Sequence, residues 1–341
     1  MGCQSVAIYN DADADSLHVQ HADEAYSLGE GRAVDTYLDQ GKIFDIIVQA
    51  GVDAVHPGYG FLSENPDFVK RCEENGIAFI GPTTDQMLSF GLKHTARQLA
   101  EDNEIPLLPG TGLLDTAEEA LTAAESIGYP VMLKSTAGGG GIGMQLCWSS
   151  DELDQAYDSV RRLSENNFSN SGVFIEKFIE FARHIEVQVF GDGEGKAVAI
   201  GERDCSTQRR NQKVIEETPA PNIPEQVRSE LHDTAVRLVS AVNYRNAGTV
   251  EFVYDQKSDQ FYFLEVNTRL QVEHGVTEQL FDIDIVEWML SLAAGELEDL
   301  DVLAGQLKPN GHAIQARIYA EDPNKDFQPS AGLLSEVSFP E

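Results

Sequence analysis

The chain has 341 residues, 57 acidic against 24 basic, and a formal net charge of −33 at pH 7. So negative a surface repels nucleic-acid backbones and anionic membranes, which argues against either as a partner. With 42% hydrophobic and 24% charged residues the balance is that of a globular protein, and no apolar run approaches the roughly 20 residues of a membrane span.

Nothing at the start reads as a basic-then-apolar leader, so the expected location is cytoplasmic. The length allows two or three packed units. Cys3, Cys72, Cys147 and Cys205 show no CxxC spacing and are expected to be small buried hydrophobes, reduced and unpaired. The acidity reads either as an adaptation to high salt or as drift on solvated faces.

In chain order, residues 1–84 read as α/β. Apolar runs at 5–9, 52–55 and 77–80 alternate with helical patterns at 43–49 and 65–75, which predicts a parallel sheet with ligand loops at its carboxyl ends. The string His56-Pro-Gly-Tyr-Gly60 sits at such an end. Residues 85–106 predict a helical connection. Residues 107–178 predict a compact α+β unit with strands at 129–135, 143–148 and 172–176 and a helix at 153–163. From residue 179 an antiparallel style is expected, with hairpins at 183–202 and 249–267 and covering helices near 225–242 and 283–293. A further strand starts after Gly311.

Four groups carry chemistry. Glu251 and Glu265 lie seven residues either side of Ser258. A turn centred there sets them opposite each other, roughly 5 Å apart. Two such carboxylates call for a divalent cation, and hard oxygens suit Mg²⁺. Flanking phenylalanines mark the hairpin as buried, with no lysine nearby in register. Beyond it, period two would align Glu265, Asn267, Arg269, Gln271 and Glu273 on one face if the strand stays extended.

The run from Lys134 through Gly138, Gly139, Gly140, Gly141 and Gly143 lacks the GK[ST] of a P-loop and joins two strands. It reads as a flexible lid over a nucleotide, with Lys134 in reach of a phosphate. Finally, 203–213 concentrates arginines and Lys213 after a strand end and could hold phosphate or a small oxyanion. The structural alternative is an ion-pair cluster with Glu216 and Glu217. His184, on a polar strand face, would be ignored alone, and Glu176-Lys177 closes a strand where a purine edge could be met.

Together these strings resemble the ATP-grasp fold and, within it, biotin carboxylase. The matching segments are His56–Asn65, Gly138–Met144, Glu202–Ser206 with Gln208–Arg210, Glu216–Pro221 and Glu265–Glu273. The resemblance implies an α/β and α+β architecture. Residues 1–84 match the N-terminal domain, 85–106 a helical connection, 107–178 the lid, 179–300 the catalytic core and 301–341 the start of a C-terminal domain. It implies an ATP-dependent ligase that forms carboxyphosphate from bicarbonate and carboxylates biotin on a carrier domain, with Mg²⁺ or Mn²⁺. Lys93, Lys134, Glu176, Lys177, His184, Gln208, Asn211 and the loop glycines match ATP-binding positions. Glu251, Glu265 and Asn267 match metal ligands, and Glu273 the bicarbonate base. Lys213, Arg269, Gln271, Val272 and Arg317 match positions that hold bicarbonate or biotin. A biotinyl carrier domain and a carboxyltransferase domain are the implied partners, with a homodimer by analogy.

Ile142, Asn211 and Gly275 depart from the usual biotin carboxylase residues and, with Phe90–Arg97 and Lys134–Ala137, look like the urea or guanidine carboxylase branch. Such relatives begin with a further strand and continue about a hundred residues beyond Glu341, so this chain alone is expected to be weakly stable or inactive. The alternatives are an acyl-CoA or pyruvate carboxylase component, another ATP-grasp ligase such as a carbamoyl-phosphate or amino-acid ligase, and an inactive fragment.

Overall fold

A computed structural model of the chain describes residues 2–135, 143–167, 172–210, 212–330, 332 and 338. The loop glycines Gly138, Gly139, Gly140 and Gly141, with Ile142 and Asn211, lie outside the described residues, as does the Lys93 side chain.

The first unit contains β1 (Val6–Tyr9), α1 (Leu17–His21), β2 (Glu24–Ser27), α2 (Gln40–Ala50), β3 (Ala54–Val55), α3 (Pro66–Glu74) and β4 (Ala78–Phe79). Its strands pair in parallel as expected, but as two separate pairs, β1 with β2 and β3 with β4. The polar, largely exposed β2 offers no apolar run to read. Asn65 caps α3 through its side chain, with Pro66 in the first turn where a missing N–H costs nothing. Phe44, Phe68 and Phe79 form the centre of this unit's core.

Next come α4 (Thr84–Gly91) and α5 (Lys93–Asp102), then α6 (Ala117–Ile127), β5 (Val131–Ser135), β6 (Met144–Cys147), α7 (Ser150–Asn167) and β7 (Val173–Lys177). The order β6-β5-β7 makes a small antiparallel sheet, and the glycine run does join two of its strands. Lys177 donates to Gly128 O (2.8 Å) and Tyr129 O (3.0 Å), tying the end of β7 to the turn before β5.

The largest unit contains β8 (Ala182–Asp192), β9 (Ala197–Arg209), β10 (Gln212–Thr218), α8 (Glu225–Ser240), β11 (Arg245–Asp255), β12 (Gln260–Asn267), α9 (His274–Phe281), α10 (Ile285–Ala294), α11 (Leu300–Gln306) and β13 (Ala313–Ala316). Its sheet runs β12-β11-β8-β9-β10-β13 and is antiparallel throughout. Alternation sorts the two faces. Ile185, Val187, Val250 and Phe252 pack under α8 with Leu231 and Leu238, while His184, Glu186 and Gln188 face the other way. On that second face α10 and α11 cover Phe190, Val198 and Ile200, leaving the polar part beside them. Gly201 sets how close α9 comes: a Cβ there would sit 2.6 Å from the Phe281 ring, and its φ of +139° disfavours other residues.

Two expectations need correction. The basic run 203–213 is mostly strand rather than loop, because β9 continues to Arg209 and β10 begins at Gln212. Cys3 is exposed, whereas Cys72, Cys147 and Cys205 are buried. Among the described residues no helix is long and apolar enough to cross a membrane.

Candidate active site

The polar face of the large sheet carries one transverse row. Glu265 stands beside Glu251, Glu251 beside Glu186, and Glu186 beside Arg203, from β12 through β11 and β8 to β9. The first pairing is the expected one, reached differently. The pairs Asp255↔Gln260 to Phe252↔Phe263 centre half a residue before Ser258, and one extra residue, Leu264, then brings Glu265 opposite Glu251. This is a β-bulge placed beside a site. The flanking phenylalanines Phe252, Phe261 and Phe263 are buried as expected, but of the two acids Glu251 is buried and Glu265 is exposed.

Carboxylates this close need cations among them. Arg203 is 0% exposed and donates to Glu186, to Gln188 Oε1 and Thr277 Oγ1 at 2.8 Å each, and to Thr249 Oγ1 at 3.3 Å. Lys213 contradicts the expectation that no lysine stands near Glu251. Its Nζ lies 2.9 Å from Glu251 Oε1, 2.8 Å from Glu273 Oε1 and 3.1 Å from Gln271 Oε1, and it also donates to Glu186. Lys213 is on β10, three strands away in sheet order, so only a strongly curled sheet lets the two side chains meet. His184 Nε2 is 2.9 Å from Glu251 Oε2, and Gln208 Nε2 is 3.2 Å from His184 Nδ1.

The charges set one another. Burial alone would raise the Glu251 carboxyl, but His184 and Lys213 hold it well below the usual range. Burial alone would lower His184 and Lys213; the carboxylates outweigh it, Glu251 at His184 and Glu186 then Glu251 at Lys213, and both are raised. The rest of the basic run is structural. Arg209 pairs with Glu321 and Arg210 with Asp326 at 3.0 Å, rather than with Glu216 or Glu217.

The extended strand expected through Glu273 stops at Asn267. Residues 268–273 form an irregular turn into α9, with Val272 and Glu273 at its end. The side chains converge nonetheless. Asn267 Nδ2 and Gln271 Nε2 donate to Glu251 Oε1 at 2.8 and 3.3 Å, and Arg269 Nη2 donates to Asn267 Oδ1 at 3.2 Å. Glu273, 1% exposed, lies between Lys213 and Arg317, whose Nη2 is 2.8 Å from Glu273 Oε2. Arg317 follows β13, and its Nε donates to the wholly buried Glu216 at 2.6 Å.

Of the residues expected to meet a nucleotide, Lys134 pairs with Glu176, which also faces Arg97 Nη1 at 3.6 Å. Gly143 accepts from Ser135 N at 2.8 Å, at the base of the glycine run. Three contributors were not singled out from sequence: Glu64, Glu186 and Thr277 leave no spacing signal, because their partners lie on other elements. Glu216 was expected beside the basic run and meets Arg317 instead.

A divalent cation fits this face. Glu251, Glu265 and Asn267 supply two carboxylates and an amide oxygen, the hard donors Mg²⁺ prefers. His184, Glu186 and Glu251 also place ligand atoms within 4.8 Å of one another, but Glu186 is wholly buried against Arg203, whereas Glu265 is exposed and the β11–β12 set offers oxygen donors only. The β11–β12 set is therefore the better match.

Comparison with known proteins identifies the family. Residues 93–301 match the family described as carbamoyl-phosphate synthase L chain, ATP binding domain, and residues 1–87 match biotin carboxylase, N-terminal domain. Urea amidolyase of Saccharomyces cerevisiae is 53% identical over the whole chain, which spans 18% of that protein's length. Biotin carboxylase 2 of Bacillus subtilis is 47% identical, again over the whole chain, and 76% of it is covered. Among solved structures, the biotin carboxylase domain dimer of Hydrogenobacter thermophilus 2-oxoglutarate carboxylase, in complex with MgADP, ADP and bicarbonate, superposes with a TM-score of 0.88 at 42% identity. That match covers 100% of this chain and 74% of the other. A polar sheet face with a carboxylate pair, a lysine-centred cluster and a buried acid between two cations thus sits on an ATP-grasp fold, and the chain belongs to the biotin carboxylase family.

Proposed function

We propose that this chain carries out the ATP-dependent carboxylation of biotin on a carrier domain, using bicarbonate, within a larger urea or guanidine carboxylase. The observation that carries this reading is Glu273: a nearly sealed carboxylate held by Lys213 and Arg317, each at 2.8 Å. A buried base fixed between two cations is placed to take a proton from an anion that those cations attract. Arg269 and Arg317 hold bicarbonate and later biotin. Glu273 accepts the bicarbonate proton, and the freed oxygen attacks the terminal phosphorus of ATP, with ADP leaving. Lys134, Lys177, His184 and Gln208 hold the nucleotide. A divalent cation on Glu251, Glu265 and Asn267 would offset charge on the phosphate oxygens. Carboxyphosphate then yields carbon dioxide to a ring nitrogen of biotin, whose proton leaves to the phosphate released.

The urea or guanidine branch is supported by the 53% identity to yeast urea amidolyase and by Gly275 in the first turn of α9. At 47%, Bacillus biotin carboxylase 2 is near enough to keep an acyl-CoA carboxylase component as the second reading. The test uses the full-length gene product. Bicarbonate-dependent ATP hydrolysis with Mg²⁺ and free biotin should be stimulated by biotin and lost in Glu273→Gln. Comparing urea, guanidine and an acyl-CoA as acceptors then separates the branches. ATP hydrolysis indifferent to bicarbonate and biotin would point instead to a different ATP-grasp ligase.

A further inference from the structure

The N-terminal unit sends one side chain into the anion site. Glu64 leaves a tight turn in which Ser63 N donates to Gly60 O at 3.0 Å and Asn65 N to Leu62 O at 3.1 Å. Leu62 and Ser63 are buried and Asn65 caps α3, so the turn is anchored on both sides. The Glu64 carboxylate grips the catalytic unit with both oxygens. Oε1 accepts from Thr268 N at 3.0 Å, and Oε2 accepts from Arg269 Nε at 2.8 Å.

That grip decides what Arg269 can do. A guanidinium has five N–H donors. Three are committed: Nε to Glu64, one on Nη1 to Leu270 O at 3.3 Å and one on Nη2 to Asn267 Oδ1 at 3.2 Å. Five minus three leaves two, one on each Nη, the number a bidentate oxyanion contact uses. An arginine beside so many carboxylates would otherwise be drawn into a closed ion pair with the site's own acids. Glu64 ties it at the rim, where its side chain is 22% exposed.

We propose that Glu64 is a positioning residue: from the N-terminal unit it fixes the Arg269 guanidinium so that two N–H donors stay available to bicarbonate. This rests on the assignment of Arg269 to bicarbonate made above. A carboxylate serves both Thr268 N and Arg269 Nε, whereas the single acceptor oxygen of glutamine serves only one of them.

The experiment compares the full-length protein with Glu64→Gln, Glu64→Asp, Arg269→Gln and the Glu64→Gln/Arg269→Gln double variant. KM for bicarbonate, KM for MgATP, Tm, and the rise in Tm on titrating bicarbonate without nucleotide are all measured. Glu64→Gln should raise the bicarbonate KM, and the bicarbonate concentration needed for half the Tm rise, roughly tenfold, the scale of one charge-assisted hydrogen bond. KM for MgATP should stay within about twofold, and Glu64→Asp should recover part of the loss. In the Arg269→Gln background, Glu64→Gln should add nothing further. An unchanged bicarbonate KM in Glu64→Gln alongside a raised one in Arg269→Gln would overturn the role of Glu64 alone. Additive effects, or a parallel rise in both KM values with a lower Tm, would overturn it in favour of simple domain packing. An unchanged bicarbonate KM in Arg269→Gln would instead sink the assignment of Arg269 on which the proposal rests.

Discussion

Lys213→Met tests the charge cluster most directly. Methionine keeps the length and removes the ammonium that Glu186, Glu251 and Glu273 share. Each acid retains another cation: Glu186 keeps Arg203, Glu251 keeps His184 and Glu273 keeps Arg317. The loss therefore falls at the low end of the range for breaking a buried ion pair, about 3 kcal/mol. For 341 residues melting as one unit, an unfolding entropy near 2.1 cal/mol/K per residue gives ~0.7 kcal/mol/K, so Tm should fall by about 4 °C. Mg²⁺ should restore more of that Tm in the variant than it adds to the wild type, because a divalent cation replaces the missing charge. Scanning calorimetry with and without Mg²⁺ measures both. A Tm within about 1 °C of wild type would refute the claim that Lys213 neutralises three buried carboxylates, and an equal Mg²⁺ increment in both proteins would refute the charge argument.

Three more outcomes follow from the same structure. Burial pushes the Cys72 and Cys147 thiols up to about 11 and also raises Cys205 well above the usual thiol range, so at pH 8 a thiol reagent should label Cys3 alone until the protein unfolds; mass spectrometry of the native protein decides this. Burial raises the Glu216 carboxyl, with Arg317 offsetting part of the shift, and one of its oxygens has no partner. A raised folded value means that the stability tied to its proton is present below the ordinary carboxylate value and is lost as pH rises through the raised one. Glu216→Gln should therefore gain on wild type between pH 5 and pH 8, and a Tm difference that does not change with pH would contradict this. Finally, the net charge of −33 should make Tm rise when salt shortens the screening length from about 10 Å at 0.1 M to 3 Å at 1 M, and a flat or falling Tm would show that self-repulsion is unimportant.

Local pairing was legible in the sequence. Glu251 and Glu265 belong to one hairpin, so counting out from the turn finds them. Helix limits marked by Asn65 or Gly295 are similarly readable, because caps are local. What stayed hidden was set across the fold. Lys213 reaches Glu251 from three strands away, and Glu64 meets Arg269 across 205 positions. Alternation beyond Asn267 suggested a longer strand, yet hydropathy cannot register that a distant carboxylate takes the Thr268 amide. The same blindness made Arg203 look like a phosphate ligand: a wholly buried arginine and a surface one are the same letter.

The bulge at Leu264 has a consequence for how this protein can change over generations. The exposed turn at 256–259 has the look of a place where insertions and deletions are harmless. It is not neutral here, because the turn sets which face Phe261 and Phe263 take, and both belong to the core. Losing a residue from the turn shifts both by one ladder position and turns them off that face, whereas losing Leu264 together with the bulge leaves Glu265 opposite Glu251. A lineage can shed a residue at the bulge without a second change, so gaps in this hairpin should be inherited there rather than in the turn.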